Sequence, residues 1–185
     1  MPLAAENADV ESIQRLVNAG ANPNDLWRFE SSYTGQSMSW APLHCAASPD
    51  SRSSDEKAIT TIEYLLTLGA DINVRNDYRQ TPLQRAVFEG SPKIVAALIN
   101  LGAEVNTADA RGDTPLHSVA GSDISRCDYH RVKLAEILIA AGADRDAKNK
   151  GNQTPLQLAR IKRRKTLFPT LKPPKISLFR RLFGQ

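Results

Sequence analysis

The chain has 185 residues, of which 41% are hydrophobic and 24% charged, the balance of a soluble globular protein, which suggests neither disorder nor membrane insertion. No apolar run approaches the roughly 20 residues that span a bilayer, and Met1-Pro2-Leu3-Ala4-Ala5-Glu6 has neither the basic nor the apolar region of a secretory signal. The formal net charge of +4 divides unevenly: residues 1–159 hold 15 basic and 20 acidic side chains, whereas residues 160–185 hold nine basic and no acidic ones.

A mildly acidic body therefore carries a basic tail, and the two need separate explanations. The absence of a signal or spanning segment makes a cytoplasmic protein the expectation, with the nucleus also open to it. Cys45 and Cys127 lie in dissimilar contexts and are read as free thiols. With three histidines, they show none of the close spacing of a zinc site.

The first helical pattern places Ser12, Ile13, Leu16 and Val17 about a turn apart and stops at Gly20-Ala21-Asn22. Its opening turn is missing, since it begins at Leu3-Ala4-Ala5, and so reads as an end cap or as a unit that has lost something upstream. A long connection over residues 25–40 leads to Ala41-Pro42-Leu43-His44, after which Thr61, Ile62, Leu65 and Leu66 repeat the apolar spacing before Gly69-Ala70-Asp71. The next stretch opens at Thr81-Pro82-Leu83-Gln84, restarts at Ser91-Pro92, carries Ile94, Val95, Leu98 and Ile99, and stops at Gly102-Ala103-Glu104. The fourth opens at Thr114-Pro115-Leu116-His117, carries Leu134, Ala135, Leu138 and Ile139, and stops at Gly142-Ala143-Asp144. A last opening, Thr154-Pro155-Leu156-Gln157, runs into a basic cluster and then into Pro169, Pro173 and Pro174, which forbid an ordinary second helix.

Pro82 to Pro115 and Gly69 to Gly102 are each 33 residues, so the marks are periodic. Thr before Pro starts a helix, because the hydroxyl accepts from an early free N–H while Pro sets φ and removes a donor that has no partner anyway. Gly stops one by entering the left-handed conformation at little steric cost. A two-helix unit cannot bury its own apolar stripe, so neighbours must stack to do it.

On these phrases the chain resembles the ankyrin-repeat family, whose unit of about 33 residues carries a T-P-L-H-x-A signature. The resemblance implies an all-α solenoid of helix-turn-helix units with β-hairpin fingers, covering residues 1–166. Units fall at about 3–24, 41–76, 77–109, 110–149 and, in part, 150–166, followed by a basic Pro-containing tail at 167–185. It also implies that His44 and His117, at the fourth signature place, are structural, a place filled elsewhere by Gln84 and Gln157. Three departures stand out. The first unit lacks its opening turn, two units run seven residues long near 48–56 and 122–131, and the step from Gly20 to Pro42 is nine residues longer than the 13 from Gly102 to Pro115. Ala41 in place of Thr predicts a second unit that starts less firmly, by about 1 kcal/mol.

The long finger holds Trp27, Phe29, Tyr33 and Trp40, four of the eleven aromatic residues and both tryptophans. A 33-residue array needs no such insertion for its core, and long connections are commonly functional. The bland alternative is that Trp40 and a neighbour fold down over the second unit. Asp77, Tyr78 and Arg79, then Arg111, then Lys150 stand at the tips of the shorter fingers. The resemblance implies that this edge and the first helices form a concave recognition face.

The expected function is therefore protein recognition by a monomeric scaffold or adaptor, without a cofactor or a small-molecule substrate. No nucleophile, phosphate loop or carboxylate pair stands out to make an enzyme. Arg160, Lys162, Arg163, Arg164 and Lys165, with Arg180 and Arg181 in a short amphipathic end, leave other readings of the tail: a structural cap, a partner contact, or an adaptor to an anionic membrane or nucleic acid.

Overall fold

The computed structural model describes residues 1–30, 37–48, 54–121 and 128–172, with the backbone alone at Phe29 and Glu30. Tyr33, Cys127, Arg180, Arg181 and most of both seven-residue insertions lie outside the described residues.

Helix pairs follow one another along the chain. They are α1 (Pro2–Glu6) with α2 (Val10–Asn18), α3 (Pro42–Ala46) with α4 (Asp55–Thr67), α5 (Pro82–Glu89) with α6 (Pro92–Asn100), and α7 (Pro115–Gly121) with α8 (Asp128–Ala140). A final first helix, α9 (Pro155–Ile161), is followed by a 3-10 turn (Lys165–Leu167) and α10 (Phe168–Leu171). The first helices stack in the order α1, α3, α5, α7, α9, and α4, α6 and α8 form a second row behind them. The long finger is an antiparallel hairpin, β1 (Trp27–Glu30) and β2 (Ser37–Trp40), with Trp27 opposite Trp40. The fold is thus an all-α solenoid with one short hairpin, and the later fingers among the described residues are turns.

Each start signal acts through its own side chain. The Thr81 and Thr154 hydroxyls accept from the Gln84 and Gln157 amides at 3.3 Å, while Gln84 and Gln157 accept in return from the Thr81 and Thr154 amides. These are reciprocal capping boxes. Ser91 caps α6 through the Ile94 amide. Ala41 has no oxygen to offer, so α3 keeps only the returning half, the Ala41 amide donating to His44 Nδ1 at 3.3 Å. At the other end Gly69 has φ +86°, and the Ala70 amide reaches back to the Leu65 carbonyl at 3.0 Å. This loop-back closes α4 and is available because glycine has no Cβ to clash.

The core is one continuous column. Ile13, Ile62, Leu65, Ile94, Leu98, Leu134 and Leu138 from the second helices are buried against Leu43, Leu83 and Leu116 from the first. Asparagine side chains knit the outer row. Asn24 donates to the Gly69 carbonyl at 3.0 Å and accepts from the Asp71 amide at 2.7 Å, and Asn106 repeats both bonds with Gly142 and Asp144 at 3.0 and 2.8 Å. After α9, Pro169 sits inside a single turn, and among the described residues no full second helix follows. Leu167 and Leu171 are nevertheless fully buried against α8 and α9, beyond the boundary expected at residue 166.

Two outcomes follow from this packing. Ala41→Thr, at a place where Thr81 and Thr114 are buried equally well, should restore the cap and stabilise by about 1 kcal/mol, raising the thermal midpoint by about 2–4 °C. Leu171→Ala should lower stability by about 2–5 kcal/mol as a core truncation, measured by urea denaturation. An unchanged midpoint would show that α10 does not close the stack.

Candidate functional site

Beyond the fourth signature residue, the fifth and eighth places of the later units fall on a single face, because residues three apart are neighbours on a helix. They are Cys45 and Ser48, Arg85 and Phe88, Ser118 and Gly121, and Leu158 and Ile161. The floor they make is uneven. Phe88 (49% exposed) and Ile161 (60%) stand up from it, with Ser118 and Gly121 between them.

The fingers wall this floor. Each short finger is a turn organised by one Asn or Asp whose side-chain oxygen accepts from two amides. Asn76 takes those of Tyr78 and Gln80, Asp109 those of Arg111 and Asp113, and Asn149 those of Gly151 and Gln153, all within 2.8–3.0 Å. Adjacent fingers then bond edge to edge, the Ala110 amide donating to the Tyr78 carbonyl at 2.8 Å and the Lys150 amide to the Arg111 carbonyl at 3.0 Å. Gly112 allows this approach, since a Cβ there would lie 2.8 Å from the Lys150 nitrogen. The long finger joins through Ser39, whose hydroxyl donates to the Asp77 carboxylate.

Fourth-place side chains lock floor to wall. His44 Nε2 bonds the Gln80 carbonyl at 2.8 Å, Gln84 the Asp113 carbonyl at 2.7 Å, and His117 the Gln153 carbonyl at 2.9 Å. His44 Nδ1 accepts from an amide, so its proton resides on Nε2, and both nitrogens are committed. Burial pushes the His44 pKa down to about 4, with the Arg85 charge adding to the effect and the Gln80 bond opposing it. Burial likewise pushes the Cys45 thiol up to about 12, so it is no nucleophile at neutral pH. Among the described residues, no group of three or more His, Cys, Asp or Glu is placed to hold a metal ion, and no helix is long and apolar enough to cross a membrane.

The recess between the long finger and α5 has a volume of about 490 Å³ and is lined by Met38, Trp40, Tyr78, Arg85, Phe88 and Arg111, among others. Arg85 is part of this lining and also donates to the Ser48 hydroxyl at 2.9 Å. Its guanidinium lies 4.8 Å from the centre of the Trp40 ring and 5.8 Å from that of Phe88, and it pairs with Glu89 at 2.8 Å. Trp40 also packs on the His44 ring, centroids 5.4 Å apart. Beyond Phe88 a second basin of about 710 Å³ opens over Ser118 and Gly121, with Arg111, Lys150 and Lys162 around it.

Of the residues singled out in the sequence, Trp40, Tyr78 and Arg111 meet in the first recess and Lys150 joins at the second. Trp27 is 43% exposed but lines neither, and Asp77 is engaged with Ser39. Arg79 holds the left-handed turn position at φ +58°, where the following fingers place Gly112 and Asn152. In the basic cluster, Arg163 closes α9 at φ +56° with the Arg164 amide bonded to the Ala159 carbonyl at 2.8 Å. Arg160, Lys162 and Lys165 are exposed. Sequence reasoning missed Met38, Arg85 and Phe88. A signal for Phe88 existed, an aromatic at the eighth place where the units on either side have Ser48 and Gly121.

Stacked helix pairs with a floor of first helices and a wall of hydrogen-bonded fingers define a repeat scaffold of the kind that recognises other proteins. The chain belongs to the ankyrin-repeat family. The family model for ankyrin repeats in three copies matches residues 1–109 and 52–129, and that for a single ankyrin repeat matches residues 111–150.

The buried histidine makes a pH prediction. The unfolded chain binds a proton at His44 near pH 6.5 and the folded one only near pH 4. The stability His44 contributes is therefore full above about pH 6.5 and is lost progressively as pH falls toward 4, by ~3 kcal/mol in all. His44→Gln keeps both bonds, as Gln84 does, without the titration. Urea denaturation at about pH 7 and about pH 4.5 should show the variant gaining on the parent at the lower pH.

Proposed function

We propose that the protein binds a partner protein along its concave groove, with the aromatic and arginine recess between the long finger and α5 as the anchoring point. The observation that supports this most is Phe88, half-exposed on α5 beside Trp40, Tyr78, Arg85 and Arg111. Recognition energy concentrates in such Trp, Tyr and Arg clusters, where a truncated anchor costs about 2 kcal/mol or more. Met38 and Trp40 come from β2, the strand against α3, so the finger insertion builds one wall of the recess. Trp27, Asp77 and Arg79 lie on the finger edge and are proposed as flanking contacts, and Phe29 and Tyr33 are proposed with them from the sequence alone.

A second reading rests on the exposed Arg160, Lys162 and Lys165, which with the basic residues that follow make an adaptor to an anionic membrane or a nucleic acid. Ionic strength separates the two, because attraction to phosphate falls steeply with salt and an aromatic anchor does not.

Phe88→Ala combined with Tyr78→Ala should weaken binding to proteins captured by the parent at least tenfold, about 1.4 kcal/mol, with little change in the unfolding midpoint. Undiminished binding by this variant, together with loss of binding on removal of residues 173–185, would shift the function to the tail.

A further inference from the structure

The two basins of the groove differ in chemistry and are continuous. Gln80, Gln84, Phe88 and Arg111 line both, so a single linear ligand passing Phe88 touches each in turn. The first is aromatic. The second has a floor of small residues, Ser118 and Gly121, and takes its charge from Arg111, Lys150 and Lys162.

That charge is cationic toward solvent. Over both basins the described charged side chains are Arg85, Arg111, Lys150 and Lys162 against Asp109 and Asp113, and because Arg85 is paired with Glu89 at 2.8 Å, the positive charge offered to a ligand comes from Arg111, Lys150 and Lys162. The two carboxylates point inward. The Asp109 side chain is 3% exposed and Asp113 15%, each within 3.5 Å of the Arg111 guanidinium, which is itself 75% exposed. Asp109 also holds the amides of its turn, and Asp113 accepts from Asn149 at 2.8 Å. Two acids thus hold an arginine out toward the groove. This cationic lining runs against the sign of residues 1–159, which sum to −5 from 15 basic and 20 acidic side chains.

We infer that the groove takes an acidic peptide segment, with an aromatic or long aliphatic side chain in the recess beside Phe88 and aspartate or glutamate side chains over Arg111, Lys150 and Lys162. This rests on the groove reading above and gives it a partner chemistry. Packed helices lie about 8–10 Å apart, so the acidic positions are one to two units from the anchor, about 10–20 Å. An extended strand covers that in about three to six residues. The chain's own end is the wrong occupant, since residues 173–185 contain Lys175, Arg180 and Arg181 and no acid.

The test is selection of a random 16-residue peptide display library on the full-length protein, on Phe88→Ala, and on Lys150→Glu combined with Lys162→Glu. The parent should enrich peptides having Asp or Glu within about six residues of Phe, Trp, Tyr or Leu. Individual synthetic peptides from that pool should bind the charge-reversed protein at least tenfold more weakly, and Lys150→Gln with Lys162→Gln severalfold more weakly, with thermal midpoints unchanged. Selected peptides that depend on Phe88 but carry no acidic enrichment overturn the acidic specificity and leave the groove reading standing. Peptides indifferent to Phe88→Ala, or a library that yields none, overturn both. Binding of phosphatidylserine vesicles that is lost on charge reversal, without acidic peptide binding, makes the cationic basin a lipid contact and overturns the inference.

Discussion

Three side chains at one place in the repeat, His44, Gln84 and His117, donate to carbonyls in the finger turn of the following unit at 2.7–2.9 Å. Each also accepts from the amide that opens its own helix. A single side chain therefore fixes a helix start, a finger and the step between units at once. Helix stacking alone buries the apolar stripe, which is a non-directional force. These bonds supply direction, because a buried carbonyl left unpaired costs about 1–3 kcal/mol. Without them the wall of the groove has no fixed height above its floor.

The same economy recurs behind the first helices. Asn24 and Asn106 bridge one unit's loop to the glycine stop of the next, and Asn73 accepts from the Glu104 amide at 2.9 Å. The link from each unit to its neighbour is thus polar at both edges and apolar in the middle. Stability in such an array is a sum over neighbours, so the cap formed by Leu167 and Leu171 matters as much as an internal layer. Both side chains lie against α8 and α9.

Much of this was legible in the residues. Thr-Pro starts, glycine stops and the apolar pairs each report a local physical requirement, and Thr81, Gly69 and Leu98 occupy the places those requirements dictate. The groove was less legible because it is made between units. Arg85 and Phe88 are ordinary residues of an exposed helix face until the long finger brings Trp40 within 4.8 Å of the guanidinium. The aromatic count of the finger pointed to the segment that supplies Trp40 to the recess, without distinguishing its two strands. Alternation places Met38 and Trp40 together on β2, yet nothing in the sequence says that β2, and not β1, packs on α3. Arg79 at a fingertip read as a contact residue, and its backbone shows an independent demand, the left-handed turn that Gly112 and Asn152 also satisfy.

The fingers separate shape from charge in a way that bears on how such a scaffold diversifies. Asn76, Asp109 and Asn149 build the same turn with one oxygen each, and the second side-chain atom, nitrogen or oxygen, takes no part in those two bonds. At Asp109 that atom is an oxygen and steadies Arg111 at 3.5 Å, while at Asn149 it is a nitrogen that donates to Asp113. Exchange of a single atom thus resets the electrostatics of a fingertip while the backbone keeps its course.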